Sequence, residues 1–266
     1  MSDTRRALAP AKVNLCLHVT GRRADGYHLL DSLVAFADLG DVVTLRAGDG
    51  FTVTGPFAYG VPTDDRNLAV RALRMAGTGG HVTLDKRLPH PGGIGGGSSD
   101  AAAVLRLARA NPSTADLLSL GADLPVCLAG RGARMTGIGE GVEPVDLPLL
   151  HAVLVHPGLS VPTPACFAAL GRRDNPGLGA MPDLSAPDAV IDWLGTCRND
   201  LEVPACDLAP GIREVLAALR DAGARLSRMS GSGATCFGLW PTRAAAEDAA
   251  AALDRPGWWV RAASLG

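Results

Sequence analysis

Lysine is all but missing from this chain. Of its 25 basic residues only Lys12 and Lys86 are lysines, which leaves 23 arginines. A compact ammonium and a wide planar guanidinium are not interchangeable where one phosphate oxygen must be approached, so each lysine is a candidate for chemistry as well as for the surface. An excess of either charge is missing too: 25 basic residues against 27 acidic ones leave −2. That excludes the electrostatic footprint of a nucleic-acid or anionic-membrane binder. The six cysteines form no C-x-x-C pair and match no zinc or haem spacing. Most sit in apolar runs as small buried hydrophobes do, and a reduced, cytoplasmic protein is the expectation. The longest uncharged stretch, residues 147–171, is broken by Pro148, Pro157, Pro162 and Pro164. A spanning helix would not read that way. Arg5 and Arg6 are not followed by a long apolar stretch before Lys12 and Asn14, so no export signal is expected.

What is present is an ordinary globular composition. The 266 residues are 47% apolar and 20% charged, enough for one large domain or two small ones. Residues 11–20 alternate, with Val13, Leu15, Leu17 and Val19 on one face and Asn14, Cys16 and His18 on the other, the pattern of a half-buried strand. Further strands are expected at 41–47, 51–54, 81–87, 133–138, 152–156, 225–229 and 257–263. Helices are expected at 67–76, from the glycine run to about Arg109, and at 114–120, 163–170, 187–195, 208–222 and 242–253. Asp64 and Asp65 stand where they would cap the first helix. The mixed order of strands and helices predicts an α+β fold rather than a regular βαβ array, with its best division near residues 147–151.

Five of the six residues 92–97 (GGIGGG) are glycine, directly after a strand and before a helix. Glycine lets backbone approach a ligand closely, and a helix start offers unpaired N–H groups and a positive dipole end. Together these suit a nucleotide phosphate, with Ser98 and Ser99 adding hydroxyls. No G-K-[ST] follows, so the loop is not a Walker A, and Ser98 stands where the dinucleotide fingerprint needs its third glycine. Asp100 reads as a residue complementing the helix dipole. A second glycine segment, 230–233 (SGSG), reads either as a hairpin turn or as backbone packed beside the substrate or the phosphate loop.

Strand alternation puts Lys12 and Asn14 on one face, a polar site over a sheet or an exposed sheet edge. Asp123 stands among apolar neighbours in GADLPVCLAG. It must be paired or solvated, and pairing with Lys12 or a simple helix N-cap would each meet that need.

The segments APAKVNLCLHVTGRRADGYHLLDS (9–32), PGGIGGGSSDAAAVL (91–105), GADLPV (121–126), HPGLSVPTPACF (156–167) and SGSGATCFG (230–238) together resemble the GHMP small-molecule kinases, in order and over nearly the whole chain. The resemblance implies two domains. Residues 1–150 would resemble the second domain of ribosomal protein S5, and residues 151–266 would be ferredoxin-like, with the active site in the cleft between them. It implies ATP and Mg²⁺ as cofactors. Because PAKVNL, RADGYH and PTP-x-x-F are the more specific segments, it also implies phosphorylation of the 2-hydroxyl of cytidine diphosphate methylerythritol, for isoprenoid biosynthesis.

By motif match Lys12 and Asp123 fall on the catalytic pair. Asn14, Tyr27, His28, Thr163 and Phe167 fall on the substrate side, Tyr27 and His28 toward the cytosine. Pro89, His90, Pro91, Gly92, Gly93, Ile94, Gly95, Gly96, Gly97, Ser98 and Ser99 fall on the ATP phosphate loop, and Asn67 and Lys86 near the adenine. No acidic cluster identifies metal ligands. The implied partner is a small molecule, with no nucleic acid and no membrane, for a monomer or homodimer. A sister kinase acting on homoserine, mevalonate or a sugar would have no use for an aromatic clamp at Tyr27, and a non-catalytic nucleotide sensor would be expected to lose Lys12 or Asp123. Residues 106–120, with Asn111-Pro112, are short for the family, and the phosphate-loop helix is expected to end early there.

Overall fold

The computed structural model describes residues 4–266. Two long strands open the chain, β1 (Arg5–Arg22) and β2 (His28–Arg46), paired antiparallel across a short turn. Next come β3 (Gly50–Thr54), α1 (Leu68–Ala76), β4 (His81–Asp85), α2 (Gly96–Ala108), α3 (Thr114–Leu120), α4 (Leu124–Ala129), β5 (Ala133–Gly137) and β6 (Gly141–Pro144). The remainder is β7 (Leu150–His156), α5 (Thr163–Ala168), α6 (Pro187–Thr196), α7 (Glu202–Leu208), α8 (Gly211–Asp221), β8 (Leu226–Met229), β9 (Cys236–Trp240), α9 (Arg243–Leu253) and β10 (Trp259–Leu265). The strand order is β3-β4-β2-β10-β7-β9-β8, with β1 and β5 also on β2 and β6 on β5. Leu265 opposite Ala37 is the register pair joining β10 to β2. The fold is α+β, as the element order implies.

Two strand expectations need correction. The alternation over 11–20 predicts one buried face, but β1 is buried on both, Asn14 and Cys16 as completely as Val13 and Leu15. Its polar face is tolerated because it is bonded. The Asn14 side-chain Nδ2 donates to Ser32 Oγ (2.8 Å), and His18 lies between Pro176 O (3.1 Å) and the Arg198 backbone amide (3.0 Å). β2 begins at His28, well before residue 41. Residues 31–37 are buried throughout, so no alternation marks them as strand.

The β1 ladder slips register between Pro10 and Lys12 and again between Asn14 and Cys16. Proline has no N–H to give the ladder, and bulges re-aim the residues beside them. The Lys12 amide donates to Ile94 O (2.9 Å) in the glycine loop, and the Asn14 amide to Ser230 Oγ (3.0 Å) in the SGSG turn. One irregular strand thereby fastens both glycine segments.

Three apolar clusters hold the elements. One packs α1, α2, α3 and α4 on β2, β4 and β5. The second packs α6 against β1, β7 and β10, and the third packs α7, α8 and α9 on β7 and β9. In α2 the run Ala101–Leu105 is wholly buried, its small side chains letting the helix lie close to the sheet. The cap of α1 is Asn67, whose Oδ1 accepts from the Ala69 amide (2.9 Å). Asp64 and Asp65 instead pair with Arg66 and Arg74. α2 ends at Ala108 on Arg109, which takes a left-handed conformation. β6 and α7 are not among the expected elements, and α4 is the helix that an N-cap at Asp123 would start. Each is short, and the two helices carry first-turn prolines, Pro125 and Pro204, where no N–H is missed.

Candidate active site

The N-terminus of α2, the β1 bulges, the β1–β2 turn, α5 and the β8–β9 turn enclose a cavity of about 860 Å³. Pro91, Gly93, Gly95 and Ser98 form its floor. Gly95 caps α2 in a left-handed conformation (φ 63°) with no side-chain cap, and a Cβ there would lie 3.0 Å from Lys12 Cβ. The first α2 amides therefore keep their donors free at the positive end of the helix. Gly93 (φ 70°) has a second reason to be glycine. A Cβ would sit 2.6 Å from the carbonyl oxygens of both Ser230 and Gly233.

The SGSG segment is both things the sequence allowed. It is a hairpin turn, closed by the Ser230 amide on Thr235 O (2.9 Å). It also props the glycine loop. Ser230 Oγ donates to Gly93 O (3.0 Å), and the Thr235 amide to Gly92 O (3.1 Å). Thr163 and Ser232 hydroxyls meet at 2.8 Å and dock α5 onto the same turn.

Lys12 Nζ reaches Asp123 Oδ2 at 2.8 Å, with the lysine 4% and the aspartate 31% exposed. Asp123 occupies the N-cap position of α4 but makes no side-chain cap bond, so pairing with Lys12 is its role in the fold. Both line the cavity. Beside them Asn14 Oδ1 is buried with no hydrogen-bond partner, an acceptor in want of a donor.

At the far end, the His28 ring stacks on Phe167 with centroids 4.7 Å apart and planes 21° apart. His28 Nε2 is buried and unpartnered. Burial lowers the His28 pKa, and the nearby Arg22 and Arg173 charges lower it further, which favours the neutral imidazole. Tyr27 stands at the mouth, 60% exposed, its amide held by Asp25 Oδ1 (3.2 Å).

Several sequence candidates lie elsewhere. Lys86 is buried between Asp41 and Asp100 (2.9 Å to the latter) and does not line the cavity. Burial opposes its charge, but the two carboxylates hold its pKa above the ordinary value. Asn67 is committed to its cap and to Pro62 O (2.8 Å). Asp100 is a member of the Lys86 cluster rather than a first-turn dipole partner. Pro89, Ile94 and Ser99 turn into the interior, and His90 bonds Phe57 O (2.8 Å). Gly92, Gly96 and Gly97 build the loop and the start of α2 without lining the cavity. Sequence reasoning missed Ser32, Ser232, Arg22 and Arg173. Arg22 and Ser232 lie in segments that were singled out, but nothing in those segments picks out these side chains, and no local pattern marks Ser32 or Arg173. Among the described residues no three His, Cys, Asp or Glu groups come together as a metal site.

The chain matches the family described as GHMP kinases N terminal domain over residues 67–133 and that described as GHMP kinases C terminal over residues 169–257. It is 56% identical to the 4-diphosphocytidyl-2-C-methyl-D-erythritol kinase of Paracoccus denitrificans (strain Pd 1222), over 98% of this chain and 97% of that protein. It is 54% identical to the protein of the same name from Dinoroseobacter shibae (strain DSM 16493 / NCIMB 14021 / DFL 12), over 95% and 92%. A crystal structure of 4-(cytidine 5'-diphospho)-2C-methyl-D-erythritol kinase superposes with a TM-score of 0.80 at 40% identity, covering 98% of this chain and 99% of that one. A homoserine kinase structure from Cytophaga hutchinsonii ATCC 33406 shares the fold at 20% identity, with a TM-score of 0.63 and coverage of 98% and 94%.

Proposed function

The chain belongs to the GHMP kinases and, within them, to the family of the 4-diphosphocytidyl-2-C-methyl-D-erythritol kinases, and we propose that it moves the γ-phosphoryl group of ATP onto the 2-hydroxyl of 4-diphosphocytidyl-2-C-methyl-D-erythritol. ADP and the 2-phosphate are the products, and isoprenoid biosynthesis is the use. One observation carries the reading. The Lys12–Asp123 pair lies on the wall of a cavity that has glycine-loop backbone on one side and the stacked His28 ring on the other. In this reading the acceptor hydroxyl would lie at that pair, between the ATP phosphates and the cytosine.

Phosphoryl transfer needs alignment and charge stabilisation more than covalent help. The acceptor oxygen bonds to Pγ as the bridging bond to the β-phosphate breaks, and the hydroxyl proton leaves. In this reading Asp123 accepts that proton or orients the hydroxyl, and Lys12 neutralises charge at the attacking oxygen and the γ-phosphate. The free Asn14 Oδ1 accepts from an acceptor hydroxyl. The residue 91–98 loop takes the ATP phosphates on backbone donors. Tyr27, His28 and Phe167 hold the cytosine, the unpartnered His28 Nε2 offering one hydrogen bond to it. Thr163 braces that wall.

Mg²⁺ finds no protein cage among the described residues. In this reading it travels on ATP, held by phosphate oxygens and water. The same reading assigns residues 1–150 to the phosphate-loop half and 151–266 to the other, in a cytoplasmic monomer or homodimer. No helix among the described residues is long and apolar enough to cross a membrane.

The test is an ADP-release assay with ATP and Mg²⁺, comparing the cytidine compound with methylerythritol phosphate lacking CMP, homoserine and mevalonate. Turnover with the cytidine compound alone is expected. Turnover with another alcohol would replace this reading with that of a sister kinase.

A further inference from the structure

Two arginine doublets flank the cytosine end of the cavity, and each is split the same way. Arg23 pairs with Asp25 (2.7 Å) and Arg172 pairs with Asp174 (3.0 Å), each with the acid two residues on. Their neighbours, Arg22 and Arg173, line the cavity and have no carboxylate partner among the described residues. Asp25 also lines the cavity, but Arg23 and the Tyr27 amide already hold it.

The backbone sets both cations close to the aromatic stack. Arg22 is the register partner of His28 across the β1–β2 hairpin, and its Nε is satisfied by Gly26 O at 3.2 Å. Arg173 donates from Nη2 to Ala168 O (3.3 Å), one residue beyond Phe167. Its Nε is buried with no partner. A buried guanidinium N–H without an acceptor is costly, and a ligand oxygen would relieve it. Burial first, and then these two charges, lower the pKa of neighbouring His28, as two cations close to its ring would.

Resting on the kinase reading above, we infer that Arg22 and Arg173 form a diphosphate clamp, an anionic subsite apart from the glycine loop that holds the bridging diphosphate of the acceptor substrate. Planar guanidinium forks match phosphate oxygens, and two of them beside a base-stacking site fit a nucleoside diphosphate better than a nucleoside. The glycine loop takes the donor's phosphates through backbone amides, so the cavity would hold two polyanions by two different chemistries. That division keeps ATP and the acceptor from exchanging places.

The test is calorimetric binding of cytidine, CMP and CDP to the full chain and to Arg22→Gln, Arg173→Gln and the double variant. Arg23→Gln and Arg172→Gln are the ion-paired controls. Wild type should prefer CDP to cytidine. Each single variant should lose roughly three- to tenfold of that preference with cytidine affinity held, and the double variant most of it. Arg→Lys variants should fall between, because an ammonium lacks the fork. The preference should weaken with salt in wild type and not in the double variant. A double variant that keeps the wild-type ratio, or controls that lose it equally, would overturn the clamp while wild-type turnover of the cytidine compound leaves the kinase reading standing. A wild type with no such turnover and no cytidine binding would overturn both.

Discussion

In the Lys12–Asp123 ion pair (2.8 Å) the cation is the buried partner and the carboxylate the accessible one. A buried ammonium needs its counter-charge, and the aspartate keeps an open side toward the cavity. Asp123→Asn should therefore lower kcat by about a hundredfold or more, with little change in KM for ATP, since an interaction made in the transition state is lost. Steady-state kinetics with both substrates varied checks this. Retained turnover would remove Asp123 from the mechanism.

Tyr27 contributes little to the fold, being 60% exposed at the cavity mouth, so its substitution reports on ligand binding. Tyr27→Ala should raise KM for the cytidine substrate by about fivefold, the worth of one aromatic contact, with Tm unchanged. Phe167→Ala should do the same and also release the His28 ring from its stack. An unchanged KM in both variants would refute an aromatic clamp.

How much of this was legible beforehand depended on whether a feature is local. The glycine loop announces itself because strand, glycines and helix are contiguous, and α2 begins within it. Lys12 and Asn14 were legible as one polar face, but the bulges that aim their amides at Ile94 and Ser230 were not, because the partners lie far along the chain. Lys86 stood out by rarity, and the motif match set it near the adenine, but nothing local announces its ion-pair partners. The long-range closeness of Asp41 and Asp100 makes it a member of a buried ion-pair cluster. Asp31 was invisible for the same reason. It holds Arg134 (2.7 Å) and the Leu178 amide (2.8 Å), tying the loop after α5 to β2 and β5. Burial would raise its pKa, but Arg134 and the Leu178 amide bring it below the usual value.

Two glycine substitutions should separate close approach from mere flexibility. Gly93 has a positive φ, and its missing Cβ would fall on two carbonyl oxygens of the 230–233 turn. Gly93→Ala should cost about 2–4 kcal/mol and weaken ATP binding, because the loop must leave the turn that props it. Gly195, in α6, has open space around its missing Cβ. Gly195→Ala should be neutral or stabilise by up to about 1 kcal/mol, with ATP affinity unchanged. Thermal unfolding and ATP titration of both variants check the contrast, and equal effects would refute it.

Asp100 gives the fold a pH dependence whose sign follows from its surroundings. Lys86 is outnumbered by Asp41 and Asp100, all three are buried, and Asp100 Oδ1 has no hydrogen-bond partner. Burial pushes the Asp100 carboxyl up to about 7 from 3.8, Asp41 adding to the rise and Lys86 opposing it. Between those values the folded chain keeps a proton that the unfolded chain has released, so stability falls as pH rises through that window. Asp100→Asn removes this linkage while keeping the shape and an acceptor for Lys86, which retains Asp41 as its counter-charge. The variant should gain Tm on wild type progressively from about pH 5 to about pH 8, and the gap should level off above that, where Asp100 is fully ionised in both states. Thermal unfolding of the two proteins across that range measures the gap directly. A gap independent of pH would mean that the Lys86 charge keeps Asp100 ionised throughout, and the cluster would then be a plain ion pair with a second carboxylate held at no cost.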